Sequence, residues 1–252
     1  MMIPLQRMRD FGKQLLIPAE RSLKTELLDT DGHAPAELGE NFRDICRVNQ
    51  LLGGTSVILR HLPALVADIP QDQPVTILDL ATGTADIPCA IVKWSRKQNR
   101  AVEIVASDVS EDILSLAREA TRSHPEISLV RYDARSVPLP DKQYDIVLCS
   151  LSLHHFSPND AILVLREMRR LAKVGIILND LSRSRVGYVA AWIASRLTTR
   201  NRLTRHDAPL SVLRAYTPDE LANLFRRAGY RSPRISRHLW FRMAAVEQGG
   251  VQ

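Results

Sequence analysis

The chain predicts a doubly wound α/β fold, an open parallel sheet with helices on both faces. Three observations predict it. From residue 75 onward, short β-branched runs alternate with helical stretches, the pattern of parallel βαβ units. Those runs are nearly continuously apolar, as strands covered on both faces are. The first two runs end in acids, Asp79 and Asp108, and a turn of small residues follows the first.

Residues 1–72 read as a helical N-terminal extension. Leu5, Met8, Phe11 and Leu15 recur at helical spacing, as do Phe42, Ile45, Val48 and Leu52, and then Leu59, Leu62 and Leu65. Gly53-Gly54 and Pro63 punctuate it, and the polar run 71–74 closes it. The main domain then spans 73–252. Strands are expected at 75–79, 102–107, 127–131, 144–149 and 175–179, with helices at about 86–96, 111–123 and 160–173. Residues 183–215 form a lid-like helical insertion after the fifth strand. In it Val186, Val189, Ala190, Ile193 and Leu197 make an amphipathic helix carrying Trp192. Thr217-Pro218-Asp219-Glu220 has the form of a helix start, with Thr as cap, Pro in the first turn and Glu three residues on. That helix stops at Gly229, and residues 238–246 supply the last strands.

Composition narrows the function classes. With 45% hydrophobic and 25% charged residues in 252, wholesale disorder and fibrous repeats are excluded. Cys46, Cys89 and Cys149 are far apart and form no CxxC pair, which predicts neither a disulfide framework nor a zinc knuckle and fits a reducing cytoplasm. No apolar run approaches the ~20 residues that cross a bilayer. The formal charge of +6 is unevenly placed: Arg183, Arg185, Arg196, Arg200, Arg202, Arg205 and Arg214 fall in one stretch whose single acid is Asp207. Nucleic acid, an anionic membrane surface, an acidic substrate or a plain solvated face would each account for it.

In such a sheet, ligands bind beyond the carboxyl ends of the strands where strand order reverses. The turn Asp79-Leu-Ala-Thr-Gly-Thr-Ala-Asp86 lets a ligand approach the backbone, and the helix after it offers free N–H groups. Asp108, 25 residues after Gly83, is placed to hold both hydroxyls of a ribose. Together they point to an adenosine-containing ligand. A dinucleotide fingerprint needs three glycines where this turn has Gly83 alone, and a P-loop needs a Gly-Lys-Ser/Thr that is missing.

The stretch Ile77-Leu-Asp-Leu-Ala-Thr-Gly-Thr-Ala-Asp86 resembles the first motif of class I S-adenosylmethionine-dependent methyltransferases, in particular the ubiquinone/menaquinone C-methylase-like group. Ser107 to Arg118 resembles the next motif. Asp133-Ala134 with Val137-Pro-Leu-Pro-Asp141 resembles the adenine loop, and Leu151-Ser-Leu-His-His-Phe156 the segment after the fourth strand. The resemblance spans roughly residues 75–181. It implies a Rossmann-like seven-stranded sheet and S-adenosylmethionine as cofactor, with S-adenosylhomocysteine as product. It also implies that Asp79, Ala81, Gly83 and Thr84 serve the methionine part, Asp108 and Val109 the ribose and adenine, and Asp133 and Ala134 the adenine amino edge. Ser150 and Leu151 would line the cofactor near the sulfonium. Ala81 and Ala85 stand where many members have glycine.

Methyl transfer needs alignment and exclusion of water, and it needs a base only when the nucleophile keeps its proton until late. His154 and His155, after the fourth strand, are base candidates near neutral pH. His206, in the polar stretch after the arginine-rich helix, is a third, oriented by Asp207. No His/Cys/carboxylate set has metal spacing, so no metal is expected. The expected acceptor is a small apolar, phenolic, quinol or polyketide-like metabolite taken up under the helical lid, with peripheral membrane contact through residues 186–197. The expected reaction is O- or C-methylation. The alternatives are a nucleic-acid methyltransferase, though the Asn/Asp-Pro-Pro-aromatic motif is missing after the fourth strand, and a non-catalytic cofactor-binding module.

Overall fold

The structure, a computed structural model, describes residues 20–30 and 32–248. The helix expected around Leu5 to Leu15 lies outside the described residues. Seven strands form one sheet: β1 (Val75–Leu80), β2 (Val102–Asp108), β3 (Ile127–Arg131), β4 (Tyr144–Ser150), β5 (Ala172–Leu181), β6 (Arg234–His238) and β7 (Arg242–Gln248). Their order is β3-β2-β1-β4-β5-β7-β6, and β7 runs antiparallel to both its neighbours. Strand order reverses between β1 and β4, so Asp79, paired with Ala106 and Leu148, sits at the switch point where such sheets bind ligands.

The described helices are α1 (Pro35–Leu51), α2 (Gly54–Val66), α3 (Asp86–Lys97), α4 (Glu111–Thr121), α5 (Pro158–Leu171), α6 (Arg185–Thr198), α7 (Arg202–Arg214) and α8 (Pro218–Arg227). The period of two along each strand divides the core. Leu78, Leu80, Val147, Cys149, Ile176 and Leu178 face α5 and α8, through Leu165, Met168, Leu221 and Phe225. Ile77, Ile104, Ile146, Leu148 and Ile177 face α2 and α3, through Ile58, Leu62, Leu65 and Ile91. The expected Thr217 cap is a full capping box: Thr217 Oγ1 accepts from Glu220 N, and Thr217 N donates to the Glu220 carboxylate.

Beside the expected division at residue 72, Ile58, Leu62 and Leu65 of α2 pack on the sheet, and α1 lies over the strand ends. The fifth strand is longer than 175–179, because Asn179 and Asp180 are buried with hydrogen-bond partners and stay paired to β7. Within the expected helical insertion His206 lies on α7, which Asn201 caps by accepting from Thr204 N and which accommodates Pro209 in its interior. The closing strands flank 239–241 rather than filling 238–246. Their turn puts Trp240 and Phe241 at φ of 60° and 57° without a glycine to announce it.

Candidate cofactor and acceptor site

A cavity of about 1080 Å³ opens at the carboxyl ends of β1, β2 and β4. That is at the upper end of small-molecule sites, room for a donor and an acceptor together. Its floor is the turn after β1. Ala81, Gly83 and Ala85 all adopt left-handed φ, at 52°, 59° and 61°. Gly83 has a second constraint, since a Cβ there would stand 3.3 Å from Phe42 Cε1 of α1. The turn is held from below by Asp79, whose Oδ2 accepts from Thr82 Oγ1 at 2.6 Å. Asp79 Oδ1 is buried without a hydrogen bond, and burial pushes this carboxyl up to about 7.

Asp108 closes the second strand on the cavity wall. Its Oδ2 accepts from Gly83 N at 3.1 Å and its Oδ1 from Ser110 N at 3.0 Å. Burial raises its pKa, against the pull of those N–H groups. Each oxygen keeps a second lone pair, so the carboxylate can still accept from a diol. Val109 is exposed on the wall beside it. At the end of β4, Ser150 Oγ accepts from Asn179 Nδ2 at 2.9 Å, and Leu151 turns with φ of 53°. Ser152 Oγ then donates to Ala81 O, tying the two turns together.

The roof comes from the N-terminal segment. Leu38, Phe42, Ile45 and Asn49 of α1 line the cavity, and Cys46 Sγ lies 3.4 Å from Thr84 Oγ1. Asn49 Nδ2 donates to Asp86 at 2.9 Å, which anchors α1 to the head of α3. The short 3-10 turn Leu27–Asp29 brings Asp29 onto the wall beside His155.

The two histidines part company here. His155 lines the cavity with Nδ1 2.8 Å from Asp29 Oδ1 and Nε2 3.8 Å from Glu26 Oε2. Burial lowers its pKa, but the hydrogen bond to Asp29 and the charges of Glu26 and Asp29 outweigh that and raise it to about 8 from 6.5. His154 points away from the cavity wall. It is buried, with Nδ1 2.6 Å from Asp180 Oδ1 and its backbone N donating to Oδ2 of the same carboxylate.

Glu26, His154 and His155 each bring one ligand atom to within 4.8 Å of the others, a group able to hold a cation that chain spacing did not suggest. Arg214 already sets Nε 3.3 Å from Glu26 Oε1. Arg214 also sets Nη2 3.6 Å from Asp29 Oδ2.

Three predicted groups fall elsewhere. His206 lies outside the cavity, and its partner Asp207 is turned inward to accept from Leu27 N and Leu28 N. Asp133 is bound to Arg135 through both oxygens and Ala134 is in the core, so neither lines the cavity; Arg131 and Arg135 do. Asp79 lies one layer beneath the floor rather than on it. The arginine stretch is also less free than its sequence suggests. Arg183 and Arg214 are buried, Arg183 on Glu220 and Arg214 on backbone carbonyls. Arg202 pairs with Glu37, and Arg205 donates to the carbonyls of Arg196 and Thr199 that end α6. Sequence reasoning missed Glu26, Asp29, Asp180 and Arg214. The polar pair Asn179-Asp180 inside an apolar strand was the one local signal.

Residues 77–175 match the family described as a methyltransferase domain. Over 103 residues the chain is 34% identical to the ubiquinone/menaquinone biosynthesis C-methyltransferase UbiE of Escherichia coli, covering 40% of this chain and 39% of that protein. The chain thus spans about two fifths of the length of the curated relatives it matches. In fold it is similar to the CurJ carbon methyltransferase, with a TM-score of 0.64 at 12% identity over 87% of this chain and 62% of that one. It is also similar to a methyltransferase from Aquifex aeolicus, with a TM-score of 0.53 at 16% identity over 85% and 98%. With the sheet order, the glycine turn and the acid at the end of β2 in place, residues 77–175 match a methyltransferase domain and are similar to the corresponding part of the ubiquinone/menaquinone C-methyltransferases.

Proposed function

We propose that the chain transfers a methyl group from S-adenosylmethionine to a small apolar acceptor bearing an acidic O–H or C–H, such as a phenol, a quinol or a polyketide-like enol. The observation that carries this reading is the shared wall. One cavity holds both the Gly83–Asp108 pair and the His155–Asp29 pair.

The residues present fit the donor. Asp108 has acceptor capacity for a ribose diol, Val109 offers an apolar surface to a purine, and the close-packed turn at Gly83 admits a ligand against its backbone. Ser150 and Leu151 stand where the donor's reactive end would face the acceptor. When bound, the donor supplies an electrophilic methyl on a sulfonium.

The protein's part is then positioning and one proton. Leu38, Phe42 and Ile45 of α1 give the cavity an apolar wall, against which an acceptor can be held in line with the methyl. His155, with Nδ1 held by Asp29, takes the acceptor's proton as the new bond to oxygen or carbon forms. The proton ends on the imidazole, where the carboxylates of Glu26 and Asp29 stabilise it. The burial of Arg183 and Arg214, and the engagement of Arg202 by Glu37 and of Arg205 by the carbonyls ending α6, favour this acceptor class over nucleic acid.

Incubation of the full chain with isotopically labelled donor and parallel panels of phenols, quinols, enolisable polyketides and RNA tests the reading by mass spectrometry. Label in one small apolar class supports it. Label in RNA alone, or donor binding with no transfer to any panel, contradicts it.

A further inference from the structure

Helix α6 is built inside out. Its buried positions are small, Gly187 and Ser195, while Val186, Val189, Trp192, Ile193 and Leu197 face solvent, Leu197 at 81% exposure. These residues recur at helical spacing, so they make one continuous stripe. The turn between β6 and β7 extends it. A Cβ at Gly187 would stand 2.9 Å from Phe241 Cγ, so the turn is packed against the first turn of α6, and its tip exposes Leu239 at 82% and Trp240 at 58%. Seven large apolar side chains are therefore exposed on two elements packed against each other, more than isolated exposed residues account for.

The charge carried by α6 itself has one sign. No acid occurs between Arg183 and His206. Arg185, Arg196 and Arg200 make no ion pair among the described residues, and Arg237 is exposed beside the turn. The Arg196 guanidinium lies 4.1 Å from the Trp192 ring centroid, which puts a cation and an interfacial aromatic at the same level.

We propose that α6 and the β6–β7 turn form a docking face for an anionic phospholipid bilayer. Charge selects this occupant. A second copy of the chain would set arginine against arginine. Residues 1–19 carry Arg7, Arg9 and Lys13 against Asp10 and would meet the same repulsion. Nucleic acid would satisfy the arginines and leave the apolar stripe in water. A bilayer with anionic headgroups satisfies both: the guanidiniums meet phosphates while Val189, Ile193, Leu197 and Leu239 enter the acyl boundary. Because α6 leaves β5 at the carboxyl edge of the sheet, this face lies on the side where the cavity opens. The inference stands apart from the methyl-transfer reading and is tested without turnover.

The test is vesicle co-sedimentation of the full chain. One vesicle is phosphatidylcholine alone, and the other has about one phosphatidylglycerol in three. The comparison variant is Trp192→Ser with Leu239→Ser, both exposed and outside the cavity. The expected result is a partition at least about tenfold higher on the anionic vesicles, falling about tenfold or more in the variant with its melting temperature unchanged. No partition onto the anionic vesicles overturns the proposal. So does partition that the variant retains but salt removes, which would mean that the arginines act alone. Concentration-dependent dimers in sedimentation velocity that the variant abolishes would assign the face to a second copy instead.

Discussion

Gly83 N–H donates a 3.1 Å hydrogen bond to Asp108 Oδ2, fastening the turn after the first strand to the end of the second. The bond requires the left-handed backbone at Gly83, and Phe42 leaves no room for a branched side chain there. Gly83→Val combines a β-branched residue at positive φ with a close contact. It should lower stability by about 2–3 kcal/mol and abolish donor binding. Thermal melting and calorimetry on the same sample check both effects, and a variant with wild-type affinity would place the donor elsewhere.

The His155–Asp29 pair makes a prediction in pH. With its pKa near 8, His155 is an imidazolium at pH 7 and accepts a proton only as pH rises through that value. The rate should therefore climb between pH 7 and 9. Asp29→Asn removes the Asp29 carboxylate, the main contribution raising the pKa, and leaves that of Glu26, so its rate should climb at lower pH. His155→Gln should lose about 10²–10⁴ in rate while donor affinity holds. A pH–rate profile that does not move in Asp29→Asn would remove His155 from the chemistry.

Asp79 makes the opposite kind of prediction, in stability. Its carboxyl is buried with one oxygen lacking a hydrogen bond and is raised from 3.8 to about 7. A raised acid favours the fold most below its unfolded pKa, and that contribution is lost as pH rises from about 4 through 7. Asp79→Asn keeps an acceptor for Thr82 and carries no charge. It should gain stability over the wild type at pH 8, on the order of a few kcal/mol, and show little gain at pH 4. Chemical denaturation at the two pH values measures the difference.

Asp180 supports His154 through two hydrogen bonds in a buried setting. Asp180→Ala leaves the imidazole and a backbone N–H without their acceptor. Stability should fall by about 2–4 kcal/mol, read as a lower denaturation midpoint. A loss under ~0.5 kcal/mol would mean that water replaces the carboxylate.

The parts of the fold legible in the sequence were those encoded locally. Strands β1 to β4 follow from apolar runs, the capping box at Thr217 from four adjacent residues, and the floor of the site from the small residues around Gly83. What stayed hidden was non-local. Asp29 and Glu26 lie in a segment without periodicity and reach His155 across more than a hundred residues. An amphipathic pattern shows that α6 has an apolar face but not which way that face points. In the structure the apolar residues of α6 face solvent, and α1 lines the cavity. Asp207 does hold His206, with Oδ1 2.7 Å from Nδ1, but the pair lies outside the cavity and the same carboxylate also accepts from Leu27 N and Leu28 N.

Titration calorimetry of S-adenosylmethionine into the full chain and into Asp108→Ala tests the central claim most directly. Saturable one-to-one binding by the wild type, weakened at least about tenfold in the variant by loss of the ribose hydrogen bonds, is the predicted result. Absence of heat in the wild type, or equal affinity in the two proteins, would contradict it.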